Sequence, residues 1–147
     1  MKITKWFQKK IYNTNFNLSH ACRKDKAGKI HLFSGHSIEA GWFLLDLAIK
    51  KNKPDLVQTA IQTFMINPFN YGWDKEHGGI YYFLDVDGWS PVQLEWDLKL
   101  FWPHNEAMIS FLMAYKHTKD TKHLDTFSKI FDYCYSHVSI VNKQIIT

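Results

Sequence analysis

One segment limits what this chain can become. Between Ile38 and Lys51, apolar residues (Ile38, Trp42, Phe43, Leu44, Leu45, Leu47, Ala48, Ile49) fall on nearly every side of a 3.6-residue period. A helix of that kind has to be enclosed by other elements. Its start is polar: Gly35-His36-Ser37-Ile38-Glu39-Ala40-Gly41-Trp42. A second cluster, Trp102-Pro103-His104-Asn105-Glu106-Ala107, opens another apolar stretch. Each puts a histidine and a carboxylate within one turn at the head of an apolar helix. Such pairs supply proton-transfer groups to a dry pocket.

Four helical patterns follow one another. Ser37 is placed to N-cap the first, with Glu39 favourable to its dipole. The second begins at Pro54, carries the stripe Val57, Ala60, Ile61, Phe64, Met65, and is expected to stop at Asn67-Pro68. The third starts at Pro103 with the stripe Met108, Phe111, Leu112, Tyr115. The fourth starts near Asp120 or Thr121 and runs through Leu124, Phe127, Phe131, Cys134 or Tyr135 and Val138. Between the pairs, Gly72, Gly78, Gly79, Gly88 and Pro91 punctuate the chain. There Ile80 to Leu84 reads as a strand, Asp85-Val86-Asp87-Gly88 as its turn and Val92 to Leu94 as a returning strand. Residues 1–30 show no strong pattern beyond a short amphipathic turn from Met1 to Ile11, and are expected to be an irregular basic leader. Residues 31–138 form the folded domain, and 139–147 a divergent tail. The predicted class is all-α: helix pairs joined by a short hairpin, as a small bundle or an arc of a larger toroid.

The 147 residues suit one domain, and 6 Trp, 7 Tyr and 11 Phe supply either a bulky core or a sugar-stacking pocket. Composition alone favours the core. The net charge of +4 is uneven. Residues 1–29 hold eight Lys/Arg against one acid, leaving ten against thirteen for the rest. The basic balance belongs to the leader, not to a folded face, which argues against nucleic acid. No apolar run approaches the ~20 residues of a membrane span, and no secretory leader is evident, so the cytoplasm is the expected compartment. Two cysteines, Cys22 and Cys134, make neither a disulfide framework nor a zinc site.

His36 and Glu39, three apart, project from one helix face. A carboxylate within reach fixes the tautomer of a histidine base. From spacing alone, a capping histidine with a dipole-stabilising acid is the commoner arrangement. His104 and Glu106, two apart, diverge, so only one faces a pocket. A metal set drawn from His36, Glu39, His77, His104 and Glu106 lacks a matching second pair, and no metal is expected. Asp85-x-Asp87-Gly88 has the first acids of a calcium loop without its closing Glu, and reads as a turn. Neither a phosphate-binding glycine loop nor a Gly-x-Ser-x-Gly elbow occurs.

Longer words carry more. Gly35-His36-Ser37-Ile38-Glu39-Ala40-Gly41-Trp42-Phe43-Leu44-Leu45 is followed by Gly72-Trp73-Asp74 and His77-Gly78-Gly79-Ile80-Tyr81-Tyr82-Phe83. Pro91-Val92-Gln93-Leu94-Glu95-Trp96 and Lys99-Leu100-Phe101-Trp102-Pro103-His104-Asn105-Glu106-Ala107-Met108-Ile109 come next. In content, order and spacing these resemble the N-acylglucosamine 2-epimerase family, over mainly the third quarter of its length. The resemblance implies an arc of an (α/α)6 barrel and interconversion of N-acetylglucosamine and N-acetylmannosamine at C2. One base removes the C2 proton of the ring-opened sugar, and a second group returns a proton from the other face. His36 matches one catalytic histidine, Glu39 its supporting carboxylate, and Glu106 an acid that contacts the sugar. Trp42, Trp102 and His104 are candidates for lining the pocket. No cofactor is required, and ATP or another nucleotide is an effector by the same resemblance. The arginine of the family site and its second histidine have no counterpart. The chain is therefore expected to be incomplete for catalysis, and an open arc of helices also suits a homodimer or association with another protein.

Overall fold

The all-round apolar segment becomes α1 (Ser34–Lys50), and its enclosure begins with small residues at its head. The computed structural model describes residues 22–24, 30–88, 90–91 and 94–144, with side chains from 31 to 136. Short strands β1 (Cys22–Lys24) and β2 (Ile30–Leu32) precede α1. After it come α2 (Pro54–Thr59), a π-helical stretch (Ala60–Ile66) and α3 (Asn67–Gly72) in unbroken succession. Strand β3 (Leu84–Asp85), a 3-10 turn (Leu94–Asp97), α4 (Phe101–Thr118) and α5 (Thr121–Gln144) complete the order. Four helical rods thus alternate, with α4 packed on both α1 and α5. Phe64, Phe111, Ile38, Leu45, Met65, Ile80 and Ile130 fill the space between them. Enclosure of α1 is partial: Phe43 remains 55% exposed and Ile49 38%. Among the described residues, no helix is long and apolar enough to cross a membrane.

The second rod does not stop at Asn67-Pro68. A proline has no N–H to donate to the carbonyl four residues back, and its ring crowds that carbonyl. Here the turn widens instead, with the Asn67 N–H donating to the Gln62 carbonyl five residues back. The Phe64 carbonyl, which Pro68 cannot serve, accepts from Ser37 Oγ at 3.4 Å. Ser37 is therefore not the N-cap of α1. That helix starts at Ser34, with Phe33 in the cap position and no side-chain cap bond.

The hairpin also differs from expectation. Strand β3 pairs antiparallel with β2 (Leu32↔Leu84, His31↔Asp85), and β2 pairs with β1. So a strand lies inside the leader expected to be irregular, held by pairing and not by local pattern; residues 1–21 lie outside the described residues. Leu94 starts a 3-10 turn, not a returning strand, while Val92 and Gln93 are not among the described residues. The return comes later: Tyr82 N–H donates to Leu98 O at 3.0 Å and Phe83 N–H to Trp96 O at 3.3 Å. The Asp85–Gly88 turn holds, closed by Gly88 N–H to Asp85 O at 3.1 Å. Helix α5 continues past Val138 to Gln144, into the segment read as a tail.

A buried ion pair ties the two ends of this irregular region together. Asp74, 4% exposed, accepts the Glu76 and His77 N–H groups on Oδ1 at 2.9 and 3.1 Å, and the Lys99 ammonium on Oδ2 at 3.1 Å. Lys99 Nζ sits 3.4 Å from the Tyr81 ring centre. Burial alone would raise the Asp74 carboxyl. The His77 N–H, Tyr81 hydroxyl, Lys99 ammonium and Glu76 N–H together hold it well below the usual carboxylate range. Burial and then the Asp74 charge push the Tyr81 hydroxyl up to about 12. Gly79 completes the loop at φ +84, directly under the Tyr133 ring, where a Cβ would collide. Because Asp74 titrates lower folded than unfolded, its contribution is complete above the ordinary carboxylate range. It is lost as pH falls from about 5 towards the depressed folded value. Asp74→Asn is expected to destabilise the fold by about 3 kcal/mol at pH 7 and to flatten the acid limb of stability against pH. Urea unfolding at pH 7 and pH 4 reads both effects.

Candidate functional site

The head of α1 lies against the head of α4 because Gly35 has no side chain. A Cβ there would meet Trp102 at 2.8 Å and Pro103 at 2.9 Å. This close approach lays the Trp102 ring beside the His36 ring, centroids 4.7 Å apart at 38°. His36 sits in the first turn of α1, its side chain 57% exposed. Glu39 lies one turn on, and its Oε2 is 3.2 Å from His36 Nδ1. With Nδ1–H donating to that carboxylate, Nε2 keeps its lone pair, and among the described residues nothing occupies it. Such a hold fixes the tautomer of a neutral histidine.

Further along the same two helices is a second cross-link. The Trp42 indole N–H donates to Glu106 Oε2 at 2.6 Å. The structure therefore brings His36, Glu39, Trp42, Trp102 and Glu106 to one seam between α1 and α4. Their order follows from helix periodicity: Glu39 and Trp42 are three apart, Trp102 and Glu106 four apart.

His104, named as a candidate for lining the pocket, points away from this seam and into the core. It is 1% exposed. Its Nδ1–H donates to the Leu100 carbonyl at 2.6 Å, and its Nε2 accepts the Ile80 N–H at 2.9 Å. A carbonyl on one nitrogen and an amide on the other require a neutral ring. Tyr133 stacks on that ring with centroids 5.1 Å apart. His104 therefore fastens α4 to the glycine-rich loop. The spacing already separated it from Glu106; the core side could not be told from the pocket side without the neighbouring chain. Asp74, Tyr81 and Lys99 were not singled out as a unit from sequence. The word Gly72-Trp73-Asp74 was the available signal.

Other polar sites lie elsewhere. A cleft of about 410 Å³ between the π-helical stretch and the start of α5 is lined by Gln62, Asn70, Asp120 and His123 among others, and by no residue of the seam. Burial lowers the pKa of His123 against the nearby Asp120 charge, and raises those of Cys134 and Tyr133. His77 is exposed beside Glu76, its Nε2 3.9 Å from Oε1. Among the described residues, no group of three or more His, Cys, Asp or Glu is placed to hold a metal ion.

Comparison with known proteins adds relatives to this geometry. The sequence profile of the N-acylglucosamine 2-epimerase (GlcNAc 2-epimerase) family matches residues 2–143, further in both directions than 31–138. The mouse (Mus musculus) N-acylglucosamine 2-epimerase is 50% identical over 105 residues, 71% of this chain and 25% of its own length. The human (Homo sapiens) N-acylglucosamine 2-epimerase is 48% identical over 101 residues, 69% of this chain and 24% of its own. The chain thus spans about a quarter of the curated relatives it matches. Among solved structures, a D-mannose isomerase superposes with a TM-score of 0.63 at 22% identity, covering 71% of this chain and 26% of that one. A sugar epimerase from a ruminal bacterium gives 0.59 at 18% identity, with 86% and 32% covered. These likenesses establish the fold as an arc of an (α/α)6 barrel.

Gly35→Ala is expected to push the two helix heads apart. Stability should fall by about 1–3 kcal/mol, the usual range for overpacking, and the contact between His36 and Trp102 should loosen. Thermal unfolding reads the first effect. Loss of the ring-current shift on the His36 imidazole protons reads the second.

Proposed function

The chain belongs to the N-acylglucosamine 2-epimerase family, and from that premise we propose that it carries one proton-transfer half of a sugar 2-epimerase site. The substrates are N-acetylglucosamine and N-acetylmannosamine in their open-chain form. The observation that carries this reading is His36: Nδ1 tied to Glu39 at 3.2 Å, the ring backed by Trp102, and Nε2 unoccupied among the described residues.

The chemistry suits that arrangement. The aldehyde at C1 acidifies the C2 proton. His36 Nε2 takes the proton, and the C–H bonding pair becomes an enolate over C2, C1 and the aldehyde oxygen. Glu39 stabilises the imidazolium that results. Return of a proton to the opposite face of C2 gives the epimer, and return to the same face regenerates the substrate. Glu106, with Oε1 unoccupied among the described residues, accepts a sugar hydroxyl. Inversion needs a donor on the far face, which the seam does not supply. No cofactor enters these steps; a nucleotide belongs to this reading only as an effector.

The test is solvent-deuterium wash-in at C2 of N-acetylmannosamine, by this chain alone and within any longer chain that contains it. Exchange without epimerisation is expected of the chain alone, since one base washes in deuterium without inverting the centre. His36→Asn should reduce exchange by about 100-fold or more, and Glu39→Gln by less. No exchange in either setting would overturn the proposal.

Association of the chain with a copy of itself is a second reading, favoured by one observation. On α5, Phe131 and Tyr135 stack with centroids 4.2 Å apart while 40% and 56% exposed. Sedimentation equilibrium is expected to show a dimer that the double change F131K/Y135K dissociates. A folded monomer at all concentrations would refute it.

A further inference from the structure

We infer that Trp42 is a positioning residue acting through Glu106, and not a surface on which the sugar stacks. The inference rests on the epimerase reading above and assigns a role within that site. An indole N–H only donates and an ionised carboxylate only accepts, so the 2.6 Å contact from Trp42 Nε1 to Glu106 Oε2 is a matched, charge-assisted bond. It joins side chains 64 positions apart, on α1 and α4.

The ring itself is already committed. Phe43 stacks on Trp42 with centroids 3.8 Å apart at 24°, and the half-buried indole also packs against the hydrophobic core. A sugar that stacked on Trp42 would have to displace one of these neighbours. Glu106, by contrast, has three rotatable bonds and needs an anchor to hold one pose. The indole N–H engages one carboxylate oxygen and, among the described residues, leaves Oε1 unoccupied. It also fixes that oxygen on the seam where His36 meets Trp102. Trp42 therefore sets the distance between the group that accepts a sugar hydroxyl and the base that takes the C2 proton. A misplaced anchor costs rate even when the base is intact.

The test replaces the indole N–H without changing ring size, by incorporating benzothienylalanine at position 42; W42F serves as a second variant. Each is made in the wild-type and E106A backgrounds, with thermal unfolding as the check on folding. Deuterium wash-in at C2 of N-acetylmannosamine is the readout. Loss of a hydrogen bond to a charged group predicts about a tenfold fall in the wild-type background and no further fall in E106A. Equal falls in both backgrounds, or none in either, would overturn the inference. A wild-type protein that exchanges no deuterium would instead overturn the epimerase reading and the role with it, so the two failures are distinct.

Discussion

The close approach of α1 and α4 is the constraint on which the rest depends. It exists because position 35 has no Cβ: any side chain there would occupy the space of Trp102 and Pro103. With the helix heads in contact, His36 lies on Trp102 and Trp42 reaches Glu106. From farther along α4, Ser110 Oγ donates back to the Ile38 carbonyl of α1 at 3.0 Å. The groups at the seam are thus held from both helices, and a shift of one helix would move all of them together.

The other face of α4 does separate work. His104 faces the loop and fastens it, while Glu106, two residues on, faces the seam. The loop is further fixed by Asp74, whose carboxylate gathers two backbone amides, a hydroxyl and an ammonium. A charge buried this completely is stable only with such a full set of partners. His104 and Glu106 therefore lie on opposite sides of one helix. Exposures differ too: His104 is 1% exposed and Asp74 4%, against 57% for the His36 side chain.

The helices were legible because their signals are local. The stripes of the third and fourth patterns became α4 and α5, and Pro54 opened α2 as its fixed φ favours. The sheet was not legible. Pairing of Leu84 with Leu32 joins distant segments, and strands two or three residues long carry too little alternation to show it. Pro68 was misread for a related reason. Locally it ends a helix, yet the π-helical widening and a hydroxyl from α1 let the rod continue.

By itself the sequence determined the helical rods, the juxtaposition of His36 with Glu39, and the family, since all three reside in short-range order along the chain. Only the tertiary structure decided which member of each polar cluster meets the seam. It placed His104 in the core and Glu106 against Trp42, and it moved Ser37 from a cap to a bond with Phe64. The physical reason is that a polar side chain takes its role from the partner that satisfies it. Those partners lie on other elements, far along the chain and near in space.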